Sequence, residues 1–154
     1  MKVKIICPGK IREKWLIGGI DEYKKRLSKY TNLEIIEVAD APDSIPCAKA
    51  LEEEGERILA KVNPQDVVWV MDLHGKLMTS EEISQALIKD LEIGGSSITV
   101  VIGGSNGLSP DVVKRANRRI CFGNITLTHQ MTRLILLEQI YRGFKIYNGE
   151  KYHK

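Results

Sequence analysis

Cysteine is scarce in this sequence, and none of it is paired. Cys7, Cys47 and Cys121 are an odd number, far apart and without C-x-x-C spacing, so they support neither a disulfide framework nor a zinc site. They read as reduced, mostly packed thiols. No stretch approaches the roughly 20 uninterrupted apolar residues of a membrane span. Met1-Lys2-Val3-Lys4-Ile5-Ile6 runs straight into a strand-like pattern with no signal-peptide cleavage motif, and a cytoplasmic protein is expected. Repeats, low-complexity segments and linkers are absent too. The 154 residues, 43% apolar and 28% charged, are expected to form a single globular domain with a sizeable core. A Ser-His-Asp order, an H-E-x-x-H motif and a Walker A lysine loop are all missing. Asp21-Glu22, Glu52-Glu53-Glu54 and Glu81-Glu82 read as solvated helix faces rather than as an acid and base pair, which disfavours hydrolysis.

Short β-branched runs recur along the chain: Val3 to Cys7, Leu33 to Val38, Val67 to Met71, Ile98 to Ile102, and Arg119 to Phe122. Their length and composition indicate five strands. Helical patterns alternate with them, over about Arg12 to Tyr30, Ile45 to Val62, Thr79 to Leu91, Pro110 to Asn117 and Gln130 to Ile146. Thr79 with Glu82 has the form of a capping box, and Ser109-Pro110 places a cap before a proline at the first helical position. The alternation implies an α/β fold, a mostly parallel sheet with helices on both faces. On the last helix, Met131, Leu134, Ile135, Glu138 and Arg142 are spaced to give one apolar and one charged face. Residues 150–154 have no periodicity and read as a frayed terminus.

Charge is unevenly spread. Residues 1–108 carry 14 Lys and Arg against 17 Asp and Glu, whereas residues 109–154 carry 9 against 3. The basic C-terminal part is either a solvated helix surface or a face that steers a polyanion toward a site.

Three segments follow the late strands: Asp72-Leu73-His74-Gly75-Lys76, Gly103-Gly104-Ser105-Asn106-Gly107, and Gly123-Asn124-Ile125-Thr126-Leu127-Thr128-His129. As loops at the C-terminal ends of parallel strands they converge on one edge, where open α/β sheets hold ligands. Glycines there let backbone groups approach a ligand closely. The glycine spacing departs from the dinucleotide G-x-G-x-x-G, and Arg118 to Asn124 offers no ribose-binding acid. An NAD-dependent oxidoreductase therefore ranks last. His129 opens the last helix, either as a cap or as a donor aimed into the crevice. Arg133 and Arg142 lie on that helix, where both read most simply as a charged outer face, and Tyr152 and His153 gain meaning only if the tail packs over a site.

"VVWVMDLHGKLMTSEE", "VVIGGSNGLS" and "FGNITLTHQMTRLILLEQIYRGFKIYNGEKYHK", in this order and spacing, resemble the bacterial large-subunit rRNA pseudouridine N3-methyltransferases of the SPOUT class over essentially the whole chain. The resemblance implies a C-terminal trefoil knot, within about residues 67–154, which patterning could not reveal because knots are exceptions to ordinary connection rules. It implies S-adenosylmethionine bent in that knot against Leu73, Gly103, Gly104 and the backbone of Phe122, Gly123, Asn124, Ile125, Thr126 and Leu127, with no metal. It also implies a homodimer acting on 23S rRNA in the assembled ribosome, with His129, Arg133, Arg142, Tyr152 and His153 as the candidates for handling the acceptor's proton and charge. Another RNA target, or a ribosome-binding factor without transferase activity, would share these residues.

Overall fold

The computed structural model describes residues 1–154. The elements, in order, are β1 (Lys2–Pro8), α1 (Lys14–Leu27), β2 (Asn32–Val38), α2 (Cys47–Leu59), β3 (Val68–Leu77), α3 (Ser80–Ile93), β4 (Ser97–Ile102), α4 (Pro110–Arg115), β5 (Arg118–Cys121) and α5 (His129–Tyr147). The strands form one sheet in the order β2-β1-β4-β3-β5, and every pairing is parallel. All five expected strands and all five expected helices are present.

The two-residue period of the strands sorts the core into two layers. Val3, Ile5, Cys7, Trp69, Ile98, Val100, Ile102 and Ile120 face one side, where they pack with apolar residues of α1, α3 and α5. Ile6, Val68, Val70 and Val101 face the other, against Ile58 of α2 and Val112 of α4. Covering both faces explains why the strands read as near-continuous apolar runs.

Local signals fix several ends. The Thr79 Oγ1 accepts from the Glu82 N–H at 3.1 Å and the Glu82 carboxylate accepts from the Thr79 N–H at 2.8 Å, so the capping box is reciprocal. Ser109 caps α4 with Pro110 behind it. A Cβ on Gly55 would collide with the Ser109 side chain, so the bare glycine is what lets α2 approach that cap.

The segment Asp72 to Lys76, expected as a loop after the third strand, instead lies inside β3. Met71 and Lys76 both oppose Ile120, so the four residues between them leave the ladder and return. Polar residues at Asp72, His74 and Lys76 break the apolar run there, which is why the strand seemed to end at Met71. Helix α5 also departs from a simple two-faced pattern. Its buried residues are Arg133, Leu136, Leu137, Ile140, Tyr141, Gly143 and Phe144, because α5 packs between α1 and α3 as well as on the sheet. The expected apolar residues Leu134 and Ile135 are only half-buried.

Candidate functional site

A cavity of about 180 Å³ opens at the edge of the sheet where β4 and β5 end and where β3 leaves its ladder after Met71. Of the residues singled out in the sequence, Leu73, Gly103, Gly104, Phe122, Gly123, Ile125, Thr126, Leu127 and His129 line it. Asn124 is exposed and does not line it. Asp72, named in the sequence only as part of a loop at this edge, also lines it, and so does Thr132, which sequence reasoning missed. Thr132 is one helical turn beyond His129, so the helix period could have found it.

Half of the residues lining the cavity are apolar, and the rest are glycines and polar residues. Phe122 to Leu127 form no backbone–backbone hydrogen bond, and their one other bond is the Cys121 thiol to the Gly123 carbonyl at 2.9 Å. Apart from the Gly123 carbonyl, the N–H and C=O groups of this run have no protein partner, and those of the residues that line the cavity are a ready set of donors and acceptors for a heteroaromatic edge. A Cβ on Gly123 would meet nothing within 4 Å. Gly103 is different, because a Cβ there would strike the Gly107 carbonyl oxygen. Its lack of a side chain serves the closure of the turn itself, which the Gly107 N–H to Gly104 carbonyl bond at 3.0 Å completes.

Thr128, not His129, caps α5, accepting from the Met131 N–H at 3.2 Å. This frees the His129 ring for the cavity. Burial pushes its pKa below the ordinary 6.5 and the Arg133 cation pushes the same way, against Asp40 and Glu54, so the ring is neutral at pH 7. Arg133 itself is 3% exposed and does not line the cavity. Its guanidinium donates to Glu37 at 2.9 Å and to the Gly9 carbonyl at 3.3 Å. It thus sits inside the molecule rather than on a charged outer face. Beside it, burial pushes the Cys7 thiol up to about 11, so Cys7 stays protonated and inert.

Glu54 corrects the reading of its acidic run as a solvated face. It is 4% exposed, and its Oε2 accepts from the Ala41 N–H at 2.9 Å. Its Oε1 has no partner and would lie 3.1 Å from a Cβ on Gly104. The carboxylate therefore backs the glycine turn from the side of α2.

Arg142, Tyr152 and His153 form a separate cluster. The Tyr152 hydroxyl donates to Glu138 at 3.0 Å, its ring meets that of Tyr141 edge-on at 4.9 Å, and Arg142 stands 4.7 Å over it. His153 Nδ1 is 3.1 Å from Arg142 and Nε2 is 2.7 Å from Glu81. Burial, with the Tyr23 and Glu138 contacts, pushes the Tyr152 hydroxyl far above its ordinary value. The tail is therefore docked on α1, α3 and α5, not frayed, and Glu81 is its anchor rather than a bare solvated charge. Thirteen residues of helix separate Arg142 from His129, about 20 Å at 1.5 Å per residue. Within one chain the two groups cannot meet.

Part of the basic surplus after residue 108 is neutralised by acids from earlier in the chain: Arg118 pairs with Asp90, Arg119 with Asp72 and Arg133 with Glu37.

A family model described as "Predicted SPOUT methyltransferase" matches residues 1–153. The sequence is 51% identical to the Ribosomal RNA large subunit methyltransferase H of Enterococcus faecalis, with 100% of both chains covered. It is 51% identical to the protein of the same name in Pediococcus pentosaceus and 49% identical to that in Carboxydothermus hydrogenoformans, again with 100% coverage of both chains.

Proposed function

The chain belongs to the SPOUT methyltransferase family, and on that premise we propose that it methylates N3 of a pseudouridine in large-subunit (23S) ribosomal RNA, acting on the assembled ribosome. The relatives' shared name, Ribosomal RNA large subunit methyltransferase H, supports the substrate class. The observation that carries the chemistry is the wall of unpaired backbone from Phe122 to Leu127. S-adenosylmethionine, when bound, supplies an activated methyl electrophile, so the protein needs no metal and has mainly to hold the acceptor nitrogen in line. The free N–H and C=O groups would read the adenine edge while Leu73, Ile125 and Leu127 cover its faces. This reading includes the family's trefoil knot within about residues 67–154, in one domain spanning 1–154, in the cytoplasm.

The acceptor N3–H is a weak acid and must lose its proton. His129 lines the cavity and is neutral at pH 7, so its ring can accept a proton there. Tyr152 holds its own proton too tightly to act as a base and serves as a hydrogen-bond donor. Arg142, Tyr152 and His153 reach a cavity only if it belongs to a second copy. A two-fold homodimer that lays each docked tail against the other copy's cavity makes one composite site of both groups. Burial keeps His129 neutral, and Arg133 adds to that as a fixed buried cation.

The test is methyl transfer from labelled S-adenosylmethionine to assembled ribosomes, free large subunits, naked rRNA and tRNA. The reading predicts label in large-subunit rRNA, strongest on assembled ribosomes. Label chiefly in tRNA would assign another RNA target. Donor binding without label on any RNA would leave a non-catalytic ribosome-binding factor.

A further inference from the structure

We propose that the basic groove beside the cavity, lined by His74, Lys76, Arg118 and Arg119, seats phosphates of the RNA strand next to the nucleotide being methylated. The proposal rests on the reading of rRNA as the substrate, and deepens it. The groove, of about 310 Å³, is bounded by His74-Gly75-Lys76 and by Ala116 to Arg119. The cavity is bounded by Met71-Asp72-Leu73 and by Ile120 to Phe122 and beyond. Groove and cavity are thus successive stretches of the same two neighbouring strands. Leu73 and His74 are one residue apart, with Cα atoms about 3.8 Å from each other. A strand whose base enters the cavity must carry its sugar–phosphate chain across an adjoining surface, and this one offers Lys76 as an uncompensated cation beside two oriented, carboxylate-paired guanidiniums.

The groove is built rigidly. Where β3 leaves its ladder with β5, Gly75 lies directly on the β5 backbone, and a Cβ there would stand 2.7 Å from the Arg119 carbonyl carbon and 2.8 Å from the Ile120 nitrogen. Only glycine permits that approach, and it pins the excursion down so that Lys76 re-enters the sheet opposite Ile120. Asp72 ties the two sides together. Its Oδ1 accepts from the His74 N–H at 3.0 Å and its Oδ2 from the Arg119 Nε at 2.8 Å. Those bonds hold its carboxyl below the usual range although burial opposes them.

The charges are arranged for an anion. No carboxylate lines the groove. Asp90 grips Arg118 through Nε and one terminal nitrogen, at 2.9 and 3.0 Å. Asp72 grips Arg119 through Nε and a terminal nitrogen, at 2.8 and 2.7 Å. Each guanidinium is oriented and keeps one terminal nitrogen free. Lys76 is exposed and pairs with nothing in the chain. Preset guanidiniums beside a free ammonium match the backbone-positioning contacts that fix register without reading sequence.

The test compares wild type with Lys76→Gln, Lys76→Arg and His74→Gln in the full-length protein. It measures ribosome binding by co-sedimentation and kcat/KM over a salt series, with donor affinity by calorimetry. Lys76→Gln is expected to weaken ribosome binding, to raise KM, and to lower the slope of log affinity against log salt by about 0.7 to 0.9. Its deficit against wild type then shrinks about threefold between roughly 50 and 200 mM salt. Lys76→Arg restores the slope, and donor affinity is unchanged throughout. An unchanged slope and KM in Lys76→Gln, or a parallel loss of donor affinity, would overturn the groove. Co-sedimentation needs no turnover, so a wild-type protein that transfers no methyl but binds ribosomes in a Lys76-dependent way keeps the groove and removes the activity instead.

Discussion

Two glycines on the same cavity answer to different constraints. A Cβ on Gly103 would run into the Gly107 carbonyl, whereas a Cβ on Gly123 would meet open space. Gly103→Val is therefore expected to cost about 2 kcal/mol or more of stability through overpacking, seen as a lowered melting temperature. Gly123→Val leaves the fold intact and fills the cavity, lowering S-adenosylmethionine affinity about tenfold or more, which is about 1.4 kcal/mol or more. Calorimetry beside a melting curve separates the two, and equal donor affinity in Gly123→Val would remove that wall from the site. His129 gives a pH prediction. Its folded pKa lies below the ordinary 6.5, so the unfolded chain binds that proton more readily than the folded one. The group's contribution to stability is thus flat above about pH 6.5 and falls as pH drops from there toward the depressed value. An NMR titration should place the ring midpoint below 6.5, and a midpoint above that would contradict the burial of the ring. The sequence named these positions but not the packing that sets their constraints. Glu54 and Arg133 looked like surface charges because their partners, the Ala41 N–H and the Glu37 carboxylate, are supplied by tertiary packing.

Strong local chemistry made the elements themselves readable. The Thr79 and Glu82 capping box, the Ser109-Pro110 start and the β-branched runs each act over a few residues, and each has its counterpart in the structure. The β3 excursion was hidden because its pairing partner is β5, more than forty residues on, and its own residues are polar. The tail was hidden for a related reason. Tyr152 and His153 have no periodicity, and they are held by Tyr23, Glu81, Glu138, Tyr141 and Arg142 from three helices. Deleting residues 152–154 removes an aromatic contact and several hydrogen bonds, and should cost about 1 to 2 kcal/mol, a drop of a few degrees in melting temperature. The same truncation should abolish methyl transfer while leaving donor binding intact. Full turnover by the truncated protein would take Tyr152 and His153 out of the mechanism.

At the scale of the whole molecule, the parallel sheet brings the ends of β4 and β5 and the excursion of β3 to one edge, and that edge carries both the cavity and the basic groove beside it. The α/β class and the position of the cavity followed from the alternation of strands and helices. The two-layered core and the docking of the tail needed the strands' neighbours, which no local pattern encodes. Helix α5 runs from His129 at the cavity to the Arg142 cluster, and the homodimer proposed above would bring both ends to one reaction. The most direct test of this account is the chemical identity of the product. Large-subunit rRNA from assembled ribosomes treated with the protein and labelled S-adenosylmethionine would be digested, and the labelled nucleoside identified by mass spectrometry. The account predicts a single labelled nucleoside, N3-methylpseudouridine. Label on a ribose hydroxyl, or on any base other than pseudouridine, would contradict it.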